Sequence, residues 1–275
     1  MLQTIVVPLD GSAFSARAVP AAMAVGRAGK ARVRLVGIAR SDPETGPLRH
    51  DLEAAAELVA ADGSRPEMGV LLDEDPAAVL LQMADEPGTV LCFASHDHRP
   101  VATSMMHFVG STLIERAAHP FIVVGADSDG AIPLTSHDVV VAVDGVEAPE
   151  PLLAVGALWA RHLQAPLRIV TVYEPVPADI RKPTHYTRRH GPPGDPDTYL
   201  HTLGRELERS GVVPTDLTAI PDATSVADGL TRHLYERPAL LLVAGNRRPG
   251  THVTSGVLRH LLREMPLPVL VVNRW

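Results

Sequence analysis

Residues 6–12 read VVPLDGS, and residues 140–146 read VVAVDGV. Each is a hydrophobic run stopped by Asp-Gly, and the two lie 134 positions apart. A short, continuously apolar run closed by a turn pair reads as a buried strand. With no gap, the same offset lays VRLVGI (33–38) over LRIVTV (167–172). The two halves also end alike, in HPFIVVG (119–125) and LPVLVVN (267–273). A period of this size indicates a duplicated domain rather than a solenoid. The chain therefore divides into domains at 1–128 and 136–275, with the small polar stretch GADSDGAIPLTSH (125–137) as linker.

Between the strand runs lie longer amphipathic segments. The first half reads TIVVPL, a helix from Ser12 to Ala28, RVRLVGIA, a helix near Arg49–Ala61, and MGVLLD. It continues with the helix PAAVLLQMADE, TVLCFAS, a helix near Ser111–Ala118, and FIVVG. The strands are apolar throughout rather than alternating, as expected when helices cover both faces of a parallel sheet. The pattern predicts an α/β fold of two doubly wound, five-stranded parallel-sheet domains. The second half adds ADIRKPTHYTRRHGPPGDPD (178–197), whose prolines, glycines and charges predict a long surface loop before the helix YLHTLGRELERS.

The chain has 275 residues, enough for each half to bury its own core. Its net charge of −7 argues against a nucleic-acid or anionic-membrane binder, while leaving room for a local phosphate pocket. Cys92, the one cysteine, lies in the apolar run TVLCFA and reads as a core residue. MLQTIVVPLD has no signal-peptide pattern, and no apolar run reaches a membrane-span length of about 18–20 residues. The expectation is a soluble, cytoplasmic protein.

In an open α/β sheet, ligands bind beyond the carboxyl ends of the strands, where strand order switches. Asp10 and Asp144 end the first strand of each half. A carboxylate there can accept hydrogen bonds from a ribose hydroxyl or an adenine amine. Gly11 and Gly145 let the chain turn. Ser12 can cap the following helix, whereas Val146 cannot, and Glu147 or Glu150 assists the second helix electrostatically. The same residues equally describe a plain strand-to-helix turn.

A phosphate would sit after the fourth strand. Gly110, Ser111 and Thr112 open a helix with free amides and two hydroxyls, which suits an anion or simple capping. The second half offers Gly245, Arg247, Arg248, Gly250 and Gly256. His96, Asp97, His98 and His107 read as a solvated loop rather than a metal site, because no Cys or second His pair completes a tetrahedron. No nucleophile elbow, metalloprotease helix or Walker loop is present, so the chain shows no catalytic set.

These residues resemble the universal stress protein family, as a tandem two-domain member. The resemblance covers nearly the whole chain through VVPLDGS, DEDPAAVLL, ASH…VGST and HPFIVV, then VVAVDG, IPDATSVADGLTRHL, VAGNRR and LPVLVV. It implies the strand order 3-2-1-4-5 and pairing through the last strands. In ATP-binding members, Gly-x-x-Gly and a later Gly-Ser or Gly-Thr follow the fourth strand, and a residue near the end of the second strand packs on adenine. Carried over, the first half keeps Pro8, Asp10, Gly11, Ser12, Ile38, Ser95, His96, Gly110, Ser111 and Thr112. The second keeps Asp144, Gly145, Val172, Gly245 and Gly256. Both halves depart from the phosphate loop. Ala94-Ser95-His96-Asp97 replaces the first glycines, and twelve residues separate Asp97 from Gly110. Either that loop is a turn longer, or His107-Phe108 stands where Gly-Ser belongs. A carboxylate at Asp97 would repel phosphate unless a cation or Arg99 offsets it. In the second half Arg248 replaces a glycine, and Val257 follows Gly256.

The resemblance implies a stress-response protein that binds ATP, with Mg²⁺, or a related nucleotide in the first domain. The alternative is a nucleotide-free scaffold acting through domain pairing and partner docking. An enzymatic role has no motif behind it. Whether a second chain joins as a homodimer is left open.

Overall fold

A computed structural model describes residues 2–57, 60, 66–95, 110, 112–114, 116–125, 136–145, 149–175, 195–222, 224–246 and 256–273. The first half runs β1 (Thr4–Leu9), α1 (Ala18–Gly29), β2 (Arg32–Ala39), α2 (Asp42–Glu57), β3 (Glu67–Leu72), α3 (Pro76–Ala84), β4 (Thr89–Ala94) and β5 (Phe121–Val124). Residues 110, 112–114 and 116 are also helical. The second half runs β6 (Val139–Val143), α4 (Glu150–Leu163), β7 (Leu167–Tyr173), α5 (Pro196–Arg209), β8 (Asp216–Pro221), α6 (Val226–Glu236), β9 (Leu241–Asn246), α7 (Gly256–Glu264) and β10 (Val269–Asn273). The strands form one sheet in the order β3-β2-β1-β4-β5-β10-β9-β6-β7-β8. Each half therefore has its strands in the local order 3-2-1-4-5, as the resemblance implies.

The repeat is kept at the level of hydrogen bonds. Ile5 stands opposite Val33, and Val139 opposite Leu167, at the same offset in both strands. Helices α1 and α4 both end in a left-handed residue, Lys30 and Gln164, each with φ of 53°. Their N–H groups donate to Arg27 and Arg161 carbonyls, so orphan carbonyls at each helix end are satisfied and the chain turns at once into the next strand. One core lies on each face. Leu52 of α2 and Leu163 of α4 belong to one, with Leu80 of α3 and Leu261 of α7 in the other.

Helix starts differ from expectation in three places. Pro20 cannot donate a mid-helix bond, so Ser15–Arg17 forms a 3-10 turn and the α-helix restarts at Ala18, with Pro20 in its first turn. Helix α2 begins at Asp42 rather than near Arg49, because Ser41-Asp42-Pro43-Glu44 carries the Ser-x-x-Glu pattern of a capping box, with Glu44 as the acceptor of both donors. The Ser41 hydroxyl and the Arg40 N–H both donate to the Glu44 carboxylate, at 2.9 and 3.0 Å. Helix α5 begins at Pro196, capped by Asp195, which accepts the Thr198 N–H at 2.9 Å. The end of the predicted loop is thus helical, and its residues 178–194 lie outside the described residues.

The halves meet where β5 and β10 pair antiparallel. Phe121, Ile122 and Val123 face Val271, Leu270 and Val269, so Ile122 and Leu270 sit on a local two-fold axis. All six side chains are buried. The fifth position counted from Phe121 and from Val269 closes the junction differently in the two halves. Gly125 leaves room for the end of α7, since a Cβ there would lie 2.7 Å from the Met265 carbonyl oxygen. Its counterpart Asn273 instead donates from Nδ2 to the Ile114 and Ala117 carbonyls, at 2.9 and 3.1 Å. The Asn273 Oδ1 accepts from Asn246 at 3.0 Å.

Asn273→Ala should cost about 1–3 kcal/mol, because buried carbonyls at a helix end lose their donor. Gly125→Ala should cost about 1–3 kcal/mol through overpacking against backbone. Gly46→Ala, in α2 with open space around it, should instead be neutral or gain about 0.5–1 kcal/mol. Urea denaturation of the three variants checks these values.

Candidate functional site

The carboxyl end of β1 turns sharply at Gly11, where φ is +80°. Asp10 organises that turn. Its Oδ1 accepts the Ser12 hydroxyl at 2.6 Å and the Ser12 N–H at 3.1 Å. The Ser12 Oγ accepts the Ser15 N–H at 3.1 Å, so the hydroxyl serves the start of the helical segment. The Ser15 side chain is buried and donates to the Ser12 carbonyl at 3.0 Å. The turn reading of Asp-Gly-Ser is thus realised. The trio builds the turn, and the turn leaves Asp10 at the edge of a cleft.

That cleft has a volume of about 360 Å³ and brings Asp10 together with Ile38 of β2. Helix α2 walls it with Pro43, Glu44, Pro47, Leu48 and Asp51. A neighbouring cavity of about 260 Å³ is lined by Gly11, Ser12, Ser15 and, again, Asp51. The φ of +80° explains why glycine follows Asp10, and Asp51 adds to it. A Cβ at Gly11 would lie 2.3 Å from Asp51 Oδ2. Glu44 is held below the usual carboxylate range, first by the Arg40 N–H and then by the Ser41 hydroxyl. The cleft therefore pairs an apolar wall with three carboxylates. Asp51 and Glu44 were not foreseen as site residues. The signal for them was the capping box at 41–44, which starts α2 early enough to run across the cleft.

Pro8 lies within β1, paired with Val36. Ser95 follows β4, and its N–H donates to the Val124 carbonyl at 2.8 Å. Gly110 is buried, and a Cβ there would lie 3.7 Å from Phe93 of β4, in ordinary contact. Thr112 is helical and partly buried. His96, Asp97, His98, Arg99, His107 and Ser111 lie outside the described residues, as do Val146, Glu147, Arg247, Arg248 and Gly250.

In the second half, Asp144 and Gly145 repeat the turn, with Gly145 at φ of 72°. Glu150 lies in the first turn of α4. Val172 is buried, and a Cβ at Gly229 of α6 would lie 3.1 Å from it. Gly245 is in β9 opposite Val272, and Gly256 opens α7. The loop after β8 is built around Asp222, whose side chain is only 3 % exposed. It accepts the Thr224 hydroxyl, the Thr224 N–H at 2.7 Å and Arg232 Nη1 at 3.1 Å. The Thr224 hydroxyl is the main reason its carboxyl is held below the usual range, with burial opposing.

A family model described as the universal stress protein family matches residues 135–273. A universal stress protein from Archaeoglobus fulgidus shares the fold, with a TM-score of 0.63, 14 % identity, and coverage of 99 % of this chain and 98 % of that one. A Pseudomonas aeruginosa protein assigned to the same family gives 0.61 and 14 %, covering 99 % and 93 %. The cytoplasmic domain of a prokaryotic cation chloride cotransporter gives 0.50 and 13 %, covering 98 % and 95 %. The chain has no significant match among curated protein sequences. No helix among the described residues is long and apolar enough to cross a membrane.

Gly11→Ala should destabilise by about 1–2 kcal/mol, from the left-handed φ and from displacement of Asp51. Asp222 contributes stability that is whole at neutral pH and is lost as pH falls below about 4, since its folded pKa lies under the unfolded value. Urea midpoints from pH 7 to pH 3 should therefore fall less steeply for Asp222→Asn than for the parent.

Proposed function

The chain belongs to the universal stress protein family, and from that premise we propose that its first half is a non-enzymatic receptor for an adenine nucleotide. The observation that carries this reading is the cleft joining Asp10 and Ile38 at the carboxyl edge of β1 and β2. Ile38 supplies an apolar surface for the base, and the Asp10 carboxylate an acceptor for a ribose hydroxyl. A volume of about 360 Å³ suits a nucleoside better than a whole triphosphate. The phosphates would extend toward Gly110 and Thr112, where backbone amides open a helix. Mg²⁺ would travel on the phosphates, because hard dications are bound mainly through substrate oxygens and water. The protein would serve a stress response in the cytoplasm by reporting nucleotide occupancy.

A scaffold reading draws on the same cleft. Glu44 and Asp51 bring carboxylates close to Asp10, and among the described residues no lysine or arginine lines the cleft. Coulomb repulsion would then oppose any anion that enters deeply.

Equilibrium dialysis of the full chain with ATP and Mg²⁺ tests the proposal. One nucleotide per chain is expected. Asp10→Ala should weaken it about 10–100-fold, the worth of one charged hydrogen bond. Parent protein that takes up neither ATP, ADP nor adenosine refutes the receptor and leaves the scaffold.

A further inference from the structure

The second half carries a side-chain cluster with no counterpart among the described residues of the first. His260 and Glu264 stand one turn apart on α7, so they share a face. Asp228 lies in the first turn of α6, which packs beside α7. His260 Nε2 is 3.2 Å from Asp228 Oδ1 and 2.9 Å from Glu264 Oε2. The Nε2 atom is buried and yet completes a hydrogen bond with neither. The two oxygens therefore flank the ring nitrogen instead of lying on its bonding axis. That is the arrangement ligands adopt around a shared ion. Atoms about 2.0–2.2 Å from one cation stand roughly 2.9–3.4 Å from each other.

The outer oxygens are held from behind. Asp228 Oδ2 accepts the Ser225 hydroxyl at 2.5 Å, and the same hydroxyl caps α6 by accepting the Asp228 N–H at 3.0 Å. Glu264 Oε1 accepts from Arg263 through Nε at 3.1 Å and through Nη2. Each carboxylate thus has one oxygen fixed by a donor and the other turned toward His260. Supporting bonds of this kind orient metal ligands. At the corresponding places in the first half stand Ala78, Thr112 and Arg116, which supply no such set.

We infer that Asp228, His260 and Glu264 form a binding site for a first-row divalent cation of the zinc class. One imidazole and two carboxylates suit zinc, cobalt or nickel, and solvent completes the coordination. The ion would tie α6 to α7 and stiffen the helical layer beside β9 and β10. It does not depend on the nucleotide reading, which concerns the opposite half.

The full chain, stripped with chelator and dialysed, is titrated with Zn²⁺ alone in a calorimeter. The parent should bind one more Zn²⁺ than either His260→Gln or Glu264→Gln, and zinc should raise its thermal midpoint more than theirs. Ser225→Ala should keep the ion with about 10–100-fold weaker affinity. These side chains are only partly buried, so the variants should fold as the parent does, and Glu264→Gln keeps the test alive if His260→Gln does not. Equal zinc uptake by the parent and a folded variant overturns the site, as does a parent that takes up none.

Discussion

The antiparallel pairing of β5 with β10 is the contact on which the rest of the structure depends. Each half alone would end in an apolar edge strand with a row of unpaired backbone groups. Such an edge is a template for aggregation. Joining the two edges satisfies both with one set of hydrogen bonds and buries Phe121, Ile122, Val269 and Leu270. The edges left over are β3 and β8, whose residues are partly buried or exposed and whose ends carry Glu67 and Asp216.

The direction of that pairing also decides where function can sit. Within each half the strands run parallel, so each half has a single carboxyl edge. Because the halves join antiparallel, those two edges face opposite ways. The turn at Asp10 and the turn at Asp144 are thus on opposite sides of the molecule and cannot share one ligand. The two halves differ in what each edge carries. The first keeps Ser12 in its turn and has the cleft over Ile38. The second has Val146 after the turn, surrounds Asp222 with its own hydroxyls and amides, and places a histidine between two carboxylates. At the junction, Gly125 and Asn273 solve the same packing problem by making room and by donating hydrogen bonds.

Much of the fold was legible in the residues. Apolar runs without alternation mark strands covered on both faces, and the constant offset between VVPLDGS and VVAVDGV follows from shared strand register. Lys30 and Gln164 show how closely the backbone repeats, though neither is a residue that announces a left-handed turn. The site was only half legible. Asp10 and Ile38 stand out by their place on strands. Asp51 and Glu44 do not, because DPETGPLRH looks like a loop until its capping box is read. The Asp228–His260–Glu264 cluster was invisible because its members come from two helices, with Asp228 32 positions before His260 in the chain.

What the sequence by itself determined is local and periodic: the strands, the duplicated layout, and the turn chemistry of Asp-Gly. These depend on neighbours within a few positions, where spacing and propensity act directly. Only the tertiary structure decided what stands across space from those residues. It set α2 against the Asp10 cleft, Asn273 against the end of the helix just before Ala117, and His260 between two carboxylates. Such contacts join residues far apart in the chain, and their geometry comes from how helices pack on a twisted sheet rather than from any spacing along it.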